Sequence, residues 1–292
     1  MKKEFKINRR IFKKTEEIFF QVLMILSTAI IIIALLAIIL SILVKGVPSL
    51  SWSMISQTPK GGFYFGKDGG ILNAIIGSLY LSIGATILAL FISLPLALYM
   101  NIHKMKQKRT VNTIRFFLDL LWGIPSIVYG AFGFTLMVFL GLRTSLLAGI
   151  ITVTLFIIPI MIRSMDEVLK TVPKGLIESA FSLGSTQSET AYRVVLKQCI
   201  PGLITAVLLS FGRAIGDAAA VLFTAGYTDY IPTSLSQPTA TLPLSVFFQL
   251  SSPIPEVQSR AYASAVVLTV IVLIISIASR GFSMKYQKHK IK

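Results

Sequence analysis

Arg213 and Asp217 are two charged residues inside a long apolar stretch of the chain. A charge near the centre of a bilayer costs at least roughly 2.5 to 3.5 kcal/mol, so it usually faces a partner, a water-filled cavity or a transported ion. The two residues are four positions apart, which predicts that they share one face of a helix. Their types and spacing therefore indicate a polar pathway where this helix meets another.

Gly212 and Gly216 have the same four-residue spacing and lie beside the charges. Small residues at this spacing let the backbone of a second helix approach closely. We therefore expect another helix to pack at these glycines. The alternative is structural: Arg213 and Asp217 could simply pair with each other or with a neighbouring helix.

The composition is that of a membrane protein. Hydrophobic residues make up 54% of the chain and charged residues 14%, with a mean hydropathy of +0.78, whereas charged residues form about 25% of an ordinary soluble domain. The net charge of +16 would suggest a nucleic-acid partner in a soluble protein, but here the basic residues cluster between apolar runs. We therefore expect a lipid bilayer, and no nucleic acid, around this chain.

The sequence has few residues of the types that bind metals or cofactors. The single cysteine, Cys199, excludes an intramolecular disulfide and a thiolate metal site. The two histidines, His103 and His289, both lie among lysines and neither is placed like a ligand or a catalytic base. We expect no cofactor, no metal site and no catalytic residue.

The apolar runs predict an all-α polytopic membrane protein with six transmembrane helices. A basic N-terminus (1–17) precedes the first span (18–44), which is too long for a signal peptide and is followed by no cleavage pattern. An external loop (45–70) leads to a core (71–282) that contains the other five spans and ends in a basic tail (283–292). These spans are expected at 71–102, 116–140, 145–162, 198–225 and 261–279.

The distribution of Lys and Arg predicts the orientation of the chain. Of the 28 residues of these types, 22 lie in the two termini and in the loops around 103–115 and 163–197, and five lie in the other loops. Because cytoplasmic segments are enriched in Lys and Arg, both termini should be cytoplasmic and loop 226–260 external. At the start of the third span, Arg115 and Asp119 are spaced for an ion pair within one helix.

The long cytoplasmic loop, 163–197, has an internal order of its own. Pro173 suits the first position of a helix, and apolar residues recur at helical spacing up to Leu183. Gly184 then predicts a helix stop. Thr186 and Glu189 form a capping box, which predicts that a second helix starts there and continues into the fifth span.

This loop resembles that of the permease subunits of type I ABC importers, whose signature reads E-A-A-x-x-x-G. The chain has Glu178-Ser179-Ala180 followed by Gly184, with a serine for one alanine and Lys197 where the pattern has proline. The resemblance implies that this helix docks into a cleft of a separate ATPase subunit and transmits its motion.

Other segments resemble the phosphate permeases of that family: Gly69-Gly70-Ile71, Val172-Pro173, Ile200-Pro201-Gly202, Arg213 to Asp217, Thr241 to Leu244 and Ala261-Tyr262-Ala263. The family's fifth-span pattern is A-R-A-x-G-E-T-A-P, against Gly212 to Ala220 here, so aspartate replaces glutamate and two alanines replace threonine and proline. The resemblance implies that Arg213 and Asp217 line the substrate pathway. It also implies a homologous permease partner, ATP-binding subunits and an extracytoplasmic phosphate-binding protein.

The chemistry of these two residues fits phosphate. An arginine can hold phosphate oxygens through paired, charge-assisted hydrogen bonds. Protonated phosphate also carries O–H donors that a carboxylate can accept, whereas fully ionised sulfate has none. We expect a transport subunit without enzymatic activity, since Gly61, Gly66 and Lys67 have the spacing of a nucleotide-binding loop but Asp68 stands where Ser or Thr is required. ATP hydrolysis would then belong to a partner.

Three alternatives remain open from the sequence. The chain could be the permease of an ABC importer for a different oxyanion. It could be an ATP-independent secondary transporter or channel that uses Arg213 and Asp217 as a relay or gate. It could also be a membrane scaffold or sensor in which the two charges form a structural ion pair.

Overall fold

The computed structural model describes residues 2–60, 69–104 and 107–287, with side chains described between 13 and 281. The regular elements in these ranges are helices. Five of them are long and apolar enough to cross a membrane, and one bent pair provides a sixth candidate span. The predicted all-α, multi-span fold is confirmed. Gly61, Gly66 and Lys67, and residues 288–292 of the basic tail, lie outside the described residues.

Helix α1 (Lys2–Gly46) takes in the basic N-terminal residues as well as the predicted first span. Most of its apolar side chains are exposed, as expected of a helix surrounded by lipid. Its C-terminal end packs on α11 (Pro255–Gln287). A Cβ added to Gly46 would lie 2.5 Å from the carbonyl oxygen of Tyr262, so this contact requires glycine.

Helix α3 (Leu72–Leu98) and helix α6 (Leu146–Leu169) pack along each other and form the centre of the core. A short helix, α2 (Trp52–Ser56), precedes α3, and a π-helical turn (Tyr99–His103) extends it. Small residues of α3 meet larger residues of α6, which lets the two backbones lie close together. The buried members are Leu81, Ala85, Ala89, Val153, Phe156, Ile157 and Met161.

The third span is broken. Helices α4 (Lys108–Gly123) and α5 (Ser126–Phe139) meet at 93°, where the sequence predicted one span over 116–140. Pro125 explains the break, because it cannot donate a helical hydrogen bond and disfavours helical geometry in the preceding Ile124. Tyr129 bridges the corner, since its hydroxyl donates to the carbonyl of Leu121 at 2.9 Å.

Loop 163–197 contains helix α7 (Lys174–Ser182), which Pro173 precedes as the N-cap rather than as the first helical residue. Gly184 has φ +83°, a left-handed conformation that favours glycine, and the predicted stop is confirmed. The predicted capping box is also confirmed. Glu189 N–H donates to the Thr186 hydroxyl at 3.2 Å, and Thr186 N–H donates to the Glu189 carboxylate at 3.0 Å.

Helix α8 (Gln187–Glu189) continues through a π-helical turn (Thr190–Val195) into α9 (Leu196–Gly216). The predicted fifth span extended to residue 225, but α9 ends at Gly216. A non-helical segment, 217–241, follows. Helix α10 (Leu242–Leu250) then precedes α11, which begins before and ends after the predicted sixth span.

Candidate functional site

Arg213 lies in the last turn of α9, three residues before the helix ends. Counting about 1.5 Å per residue from Lys197, it lies roughly 24 Å along this apolar helix. Its side chain is exposed in this chain, and its guanidinium carbon lies 5.3 Å from the centre of the Phe156 ring on α6. A cation at this position also stabilises the carbonyl end of the helix.

Asp217 is the first residue beyond the helix. Its backbone is extended, with φ −86° and ψ 122°, and its Oδ1 accepts a hydrogen bond of 2.8 Å from the backbone N–H of Ala220. The expectation that Arg213 and Asp217 share one helix face is therefore wrong, because α9 unwinds between them. No ion pair joins them among the residues that the structure describes.

The segment after the break is buried against its neighbours. Ala220, Val221 and Ala225 are fully buried, and a Cβ added to Gly130 of α5 would lie 2.7 Å from the carbonyl oxygen of Ala219. Non-helical backbone inside a membrane is tolerated only where protein covers it or where it lines a polar cavity. The break thus occupies a position that the bilayer alone would not permit.

The outer part of this segment is held by hydrogen bonds from other elements. Ser145 N–H donates to the carbonyl of Thr224 at 3.0 Å, and the amide of Asn73 donates to the carbonyl of Thr228 at 2.7 Å. Asp229 follows Thr228 in the same segment, and burial raises the pKa of the Asp229 carboxyl above its ordinary value. The segment that follows the break is therefore fixed by both α3 and the start of α6.

A groove of about 550 Å³ opens between α9 and α11 next to Arg213. It combines apolar side chains with hydroxyl groups and two arginines, and its lining includes Thr205, Leu209, Gly212, Arg213, Ser276 and Arg280. At Gly212 and Gly216, an added Cβ would have no described atom within 4 Å. No described helix of this chain packs at the two glycines, and packing against another chain stays a prediction.

The residues of the ABC-type signature lie on α7 and just after it. Glu178 and Ser179 are exposed, whereas Ala180 is buried against the rest of the chain. Gly184 closes the helix in an exposed turn, next to Leu183, whose side chain is 87% exposed. The loop therefore presents both a carboxylate and an uncovered apolar side chain to its surroundings.

Sequence reasoning missed a buried ion cluster centred on Asp166, near the end of α6. Its side chain is fully buried. Arg115 donates to both of its oxygens at 2.9 Å, and Asn101 donates to Oδ1 at 2.9 Å. Arg163 and Lys170 complete the cluster at 3.0 and 2.9 Å from Oδ2. The cluster joins the π-helical turn after α3, the middle of α4 and the C-terminal end of α6.

The predicted ion pair between Arg115 and Asp119 is wrong. Arg115 pairs with Asp166, and Asp119 instead forms an ion pair with Arg163, whose Nε lies 2.7 Å from Oδ1 of Asp119. Helix spacing favours a local pair, but a fully buried carboxylate gains more from a charged donor than a half-exposed one does. The spacing of Arg163, Asp166 and Lys170 on one face of α6 was the signal that could have revealed this cluster.

The described residues contain no group of three or more His, Cys, Asp and Glu side chains that could hold a metal ion. The ionic groups at Arg213 and Asp166 are instead suited to holding an anion and to joining helices, respectively.

Residues 93–291 match the sequence profile of a family described as binding-protein-dependent transport system inner membrane component. The chain is similar to the phosphate transport system permease protein PstA of Yersinia pestis, with 33% identity over 256 residues that cover 87% of this chain and 85% of that protein. The PstA protein of Haemophilus influenzae is 31% identical over 246 residues, covering 84% and 86% of the two chains.

Solved structures with a similar fold include an inward-facing form of the MetNI methionine ABC transporter. It has a TM-score of 0.60 and 21% identity, and the match covers 74% of this chain and 95% of that one. An amino acid ABC transporter determined with histidines has a TM-score of 0.56, with 17% identity over 74% of this chain and 93% of that one. At these identities the likeness concerns the fold.

Proposed function

Because the chain belongs to the family of binding-protein-dependent transport system inner membrane components, we propose that it is the permease subunit of an ATP-driven importer of inorganic phosphate. It is a multi-pass inner-membrane protein, and its family works with ATPase subunits and a binding protein.

The observation that carries this proposal is the position of Arg213 beside the break that ends α9, a helix long and apolar enough to cross a membrane. Its guanidinium has no carboxylate partner among the described residues, and its side chain lines the groove between α9 and α11. A cation that is left unpaired inside a membrane usually serves a transported ion or a second chain. A planar guanidinium matches the geometry of phosphate oxygens.

Asp217 is proposed to help select protonated phosphate. One of its oxygens, Oδ1, holds Ala220 N–H, which leaves Oδ2 available as an acceptor. Mono- and dihydrogen phosphate can donate an O–H to such an oxygen, whereas sulfate can only be repelled by it. The aspartate would then contribute to selectivity as well as to the shape of the break.

The permease is proposed to work as a heterodimer with a homologous permease subunit. Gly212 and Gly216 leave open space beside α9, and a second helix backbone can approach small residues closely. An extracytoplasmic phosphate-binding protein would deliver the substrate to the external side. Each subunit would then contribute a wall to the pathway.

ATP hydrolysis is proposed to be coupled through α7. Glu178 and Ser179 are exposed on this helix, and Gly184 ends it in a tight turn. A short helix held between two turns is suited to fit a cleft in an ATPase subunit. Its motion would reach the membrane core through α6 and α9, which flank the loop.

The test is ATP hydrolysis by the purified complex in proteoliposomes, with saturating binding protein. We expect phosphate to stimulate hydrolysis and to be taken up, and sulfate to do neither. Stimulation by sulfate in preference to phosphate would identify an importer of a different oxyanion. Phosphate uptake that needs neither ATP nor an ATPase subunit would contradict the proposal and identify a secondary transporter or channel.

A further inference from the structure

We propose that Phe156 is a positioning residue for Arg213, whose guanidinium it holds over its ring face beside the helix break. This inference rests on the proposed role of Arg213 as the contact for phosphate. The guanidinium carbon is 5.3 Å from the ring centre, within the distance at which a cation is attracted to an aromatic face. Nothing in the family signature marks Phe156, which reads in the sequence as an ordinary core residue.

The two side chains differ in their freedom to move. Phe156 is 4% exposed and belongs to the core cluster, so its ring has a fixed place near the middle of α6. Arg213 is exposed in this chain, and a long exposed side chain populates many rotamers. The fixed ring therefore selects those rotamers that direct the guanidinium toward α6 instead of toward lipid.

The ring of Phe156 is itself held in place by Tyr129 of the broken third span. The two rings meet edge to face, with centres 5.7 Å apart and planes at 64°. The Tyr129 hydroxyl donates to the carbonyl of Leu121 across the corner between α4 and α5. A continuous series of contacts thus runs from the bend in the third span to Arg213.

An aromatic ring has an advantage over a carboxylate as a holder of this arginine. A carboxylate would accept hydrogen bonds from the guanidinium N–H groups and would neutralise the guanidinium charge. Phosphate would then have to compete with that carboxylate for the same hydrogen bonds and the same charge. A ring face attracts the cation through its quadrupole but has no lone pairs to accept these hydrogen bonds. The guanidinium stays positioned while its donors remain available to an anion.

The test replaces Phe156 with phenylalanines that carry one, two or three ring fluorines in the full transport complex. Fluorination weakens the negative ring face with little change in shape. We expect the maximal rate of phosphate uptake in proteoliposomes to fall stepwise, by about two- to fivefold across the series. The concentration of binding protein needed for half-maximal uptake should not change, because the delivery step does not involve this ring.

Phe134 of α5 provides the matched control. Its ring meets Phe223 at 6.2 Å and no described cation, so the same fluorine series there should leave uptake unchanged. Rates are expressed per assembled complex, which removes any effect of fluorination on assembly.

The result that would overturn the inference is equal uptake across the Phe156 series, or an equal fall at Phe134. In that case Arg213→Ala would still show whether Arg213 contacts phosphate. If Arg213→Ala transports phosphate normally, that proposed contact fails and the positioning role fails with it, while ATP-dependent phosphate uptake would still support the proposed function. If Arg213→Ala loses uptake while all fluorinated Phe156 variants take up phosphate at the same rate, only the positioning role of Phe156 is rejected.

Discussion

Arg115 and Asp166 form a two-point ion pair between the middle of α4 and the end of α6, with Nε 2.9 Å from Oδ2 and Nη2 2.9 Å from Oδ1. Asp166 is fully buried, and Arg163 and Lys170 also contact it. The pair fixes α4 to α6 eight residues before α7 begins at Lys174. The cluster therefore joins the first half of the broken third span to the helix that leads into α7.

Asp166→Ala should strongly destabilise the protein, because it leaves three cations without their shared carboxylate. Breaking a buried ion pair from one side costs about 3 to 5 kcal/mol. The measurement is thermal unfolding of the complex in detergent. As the control, Glu167→Gln changes a carboxylate that is 60% exposed, and it should cost no more than about 1 kcal/mol. Equal melting temperatures for the two variants would contradict the importance of the cluster.

Gly130→Ala should reduce phosphate uptake, because the added methyl would lie 2.7 Å from the carbonyl oxygen of Ala219 and would push α5 away from the helix break. Gly123→Ala is the matched control, since no described atom lies within 4 Å of its added Cβ. Uptake assays on equal amounts of assembled complex compare the two. Normal uptake in Gly130→Ala would mean that close packing of α5 at the break is unnecessary.

Asp217→Asn and Asp217→Ala should separate the two roles of this carboxylate. Asparagine keeps an oxygen for Ala220 N–H, so we expect normal assembly, but its NH₂ group replaces the second acceptor and phosphate uptake should fall. Alanine also removes the cap and should lower stability by about 1 kcal/mol. Uptake and melting temperature are measured on both variants. Full uptake in Asp217→Asn would exclude a direct contact between Asp217 and phosphate.

Cysteines introduced on α7 should reveal the ATPase contact. Ser179→Cys is expected to cross-link to a cysteine in the ATPase subunit because residue 179 is exposed, whereas Ala180→Cys should react slowly because residue 180 is buried within this chain. The native Cys199 is buried and should give little background. If Ser179→Cys, Glu178→Cys and Leu183→Cys all failed to cross-link, docking through α7 would be ruled out.

Patterns formed by residues close together in the sequence predicted much of this structure. Apolar length indicated the spans, Gly184 indicated the end of α7, and the Thr186 and Glu189 pair indicated the start of the next helix. These features depend on residues close together in sequence, which is why a single chain reveals them. The break in the third span, where α4 and α5 meet at 93°, is explained by Pro125 once the structure is known.

Features that depend on distant residues could not be predicted in the same way. The run of alanines after Asp217 favours helix, yet α9 ends at Gly216 because Asp217 caps Ala220 and the following segment packs against α5. Arg115 had an acceptable partner at Asp119, and only the folded chain brings Asp166 to it. Phe156 carried no sequence signal, since an apolar residue in an apolar helix is indistinguishable from its neighbours until Arg213 is seen beside it.

The central claim is that Arg213 contacts phosphate inside the membrane, and its most direct test is phosphate uptake by Arg213→Ala in assembled complexes. Arg143→Ala, which removes an arginine from a loop outside the predicted pathway, is the control. We predict that Arg213→Ala assembles with its partners and takes up no phosphate, while Arg143→Ala transports normally. Normal phosphate uptake by assembled Arg213→Ala complexes would contradict the account.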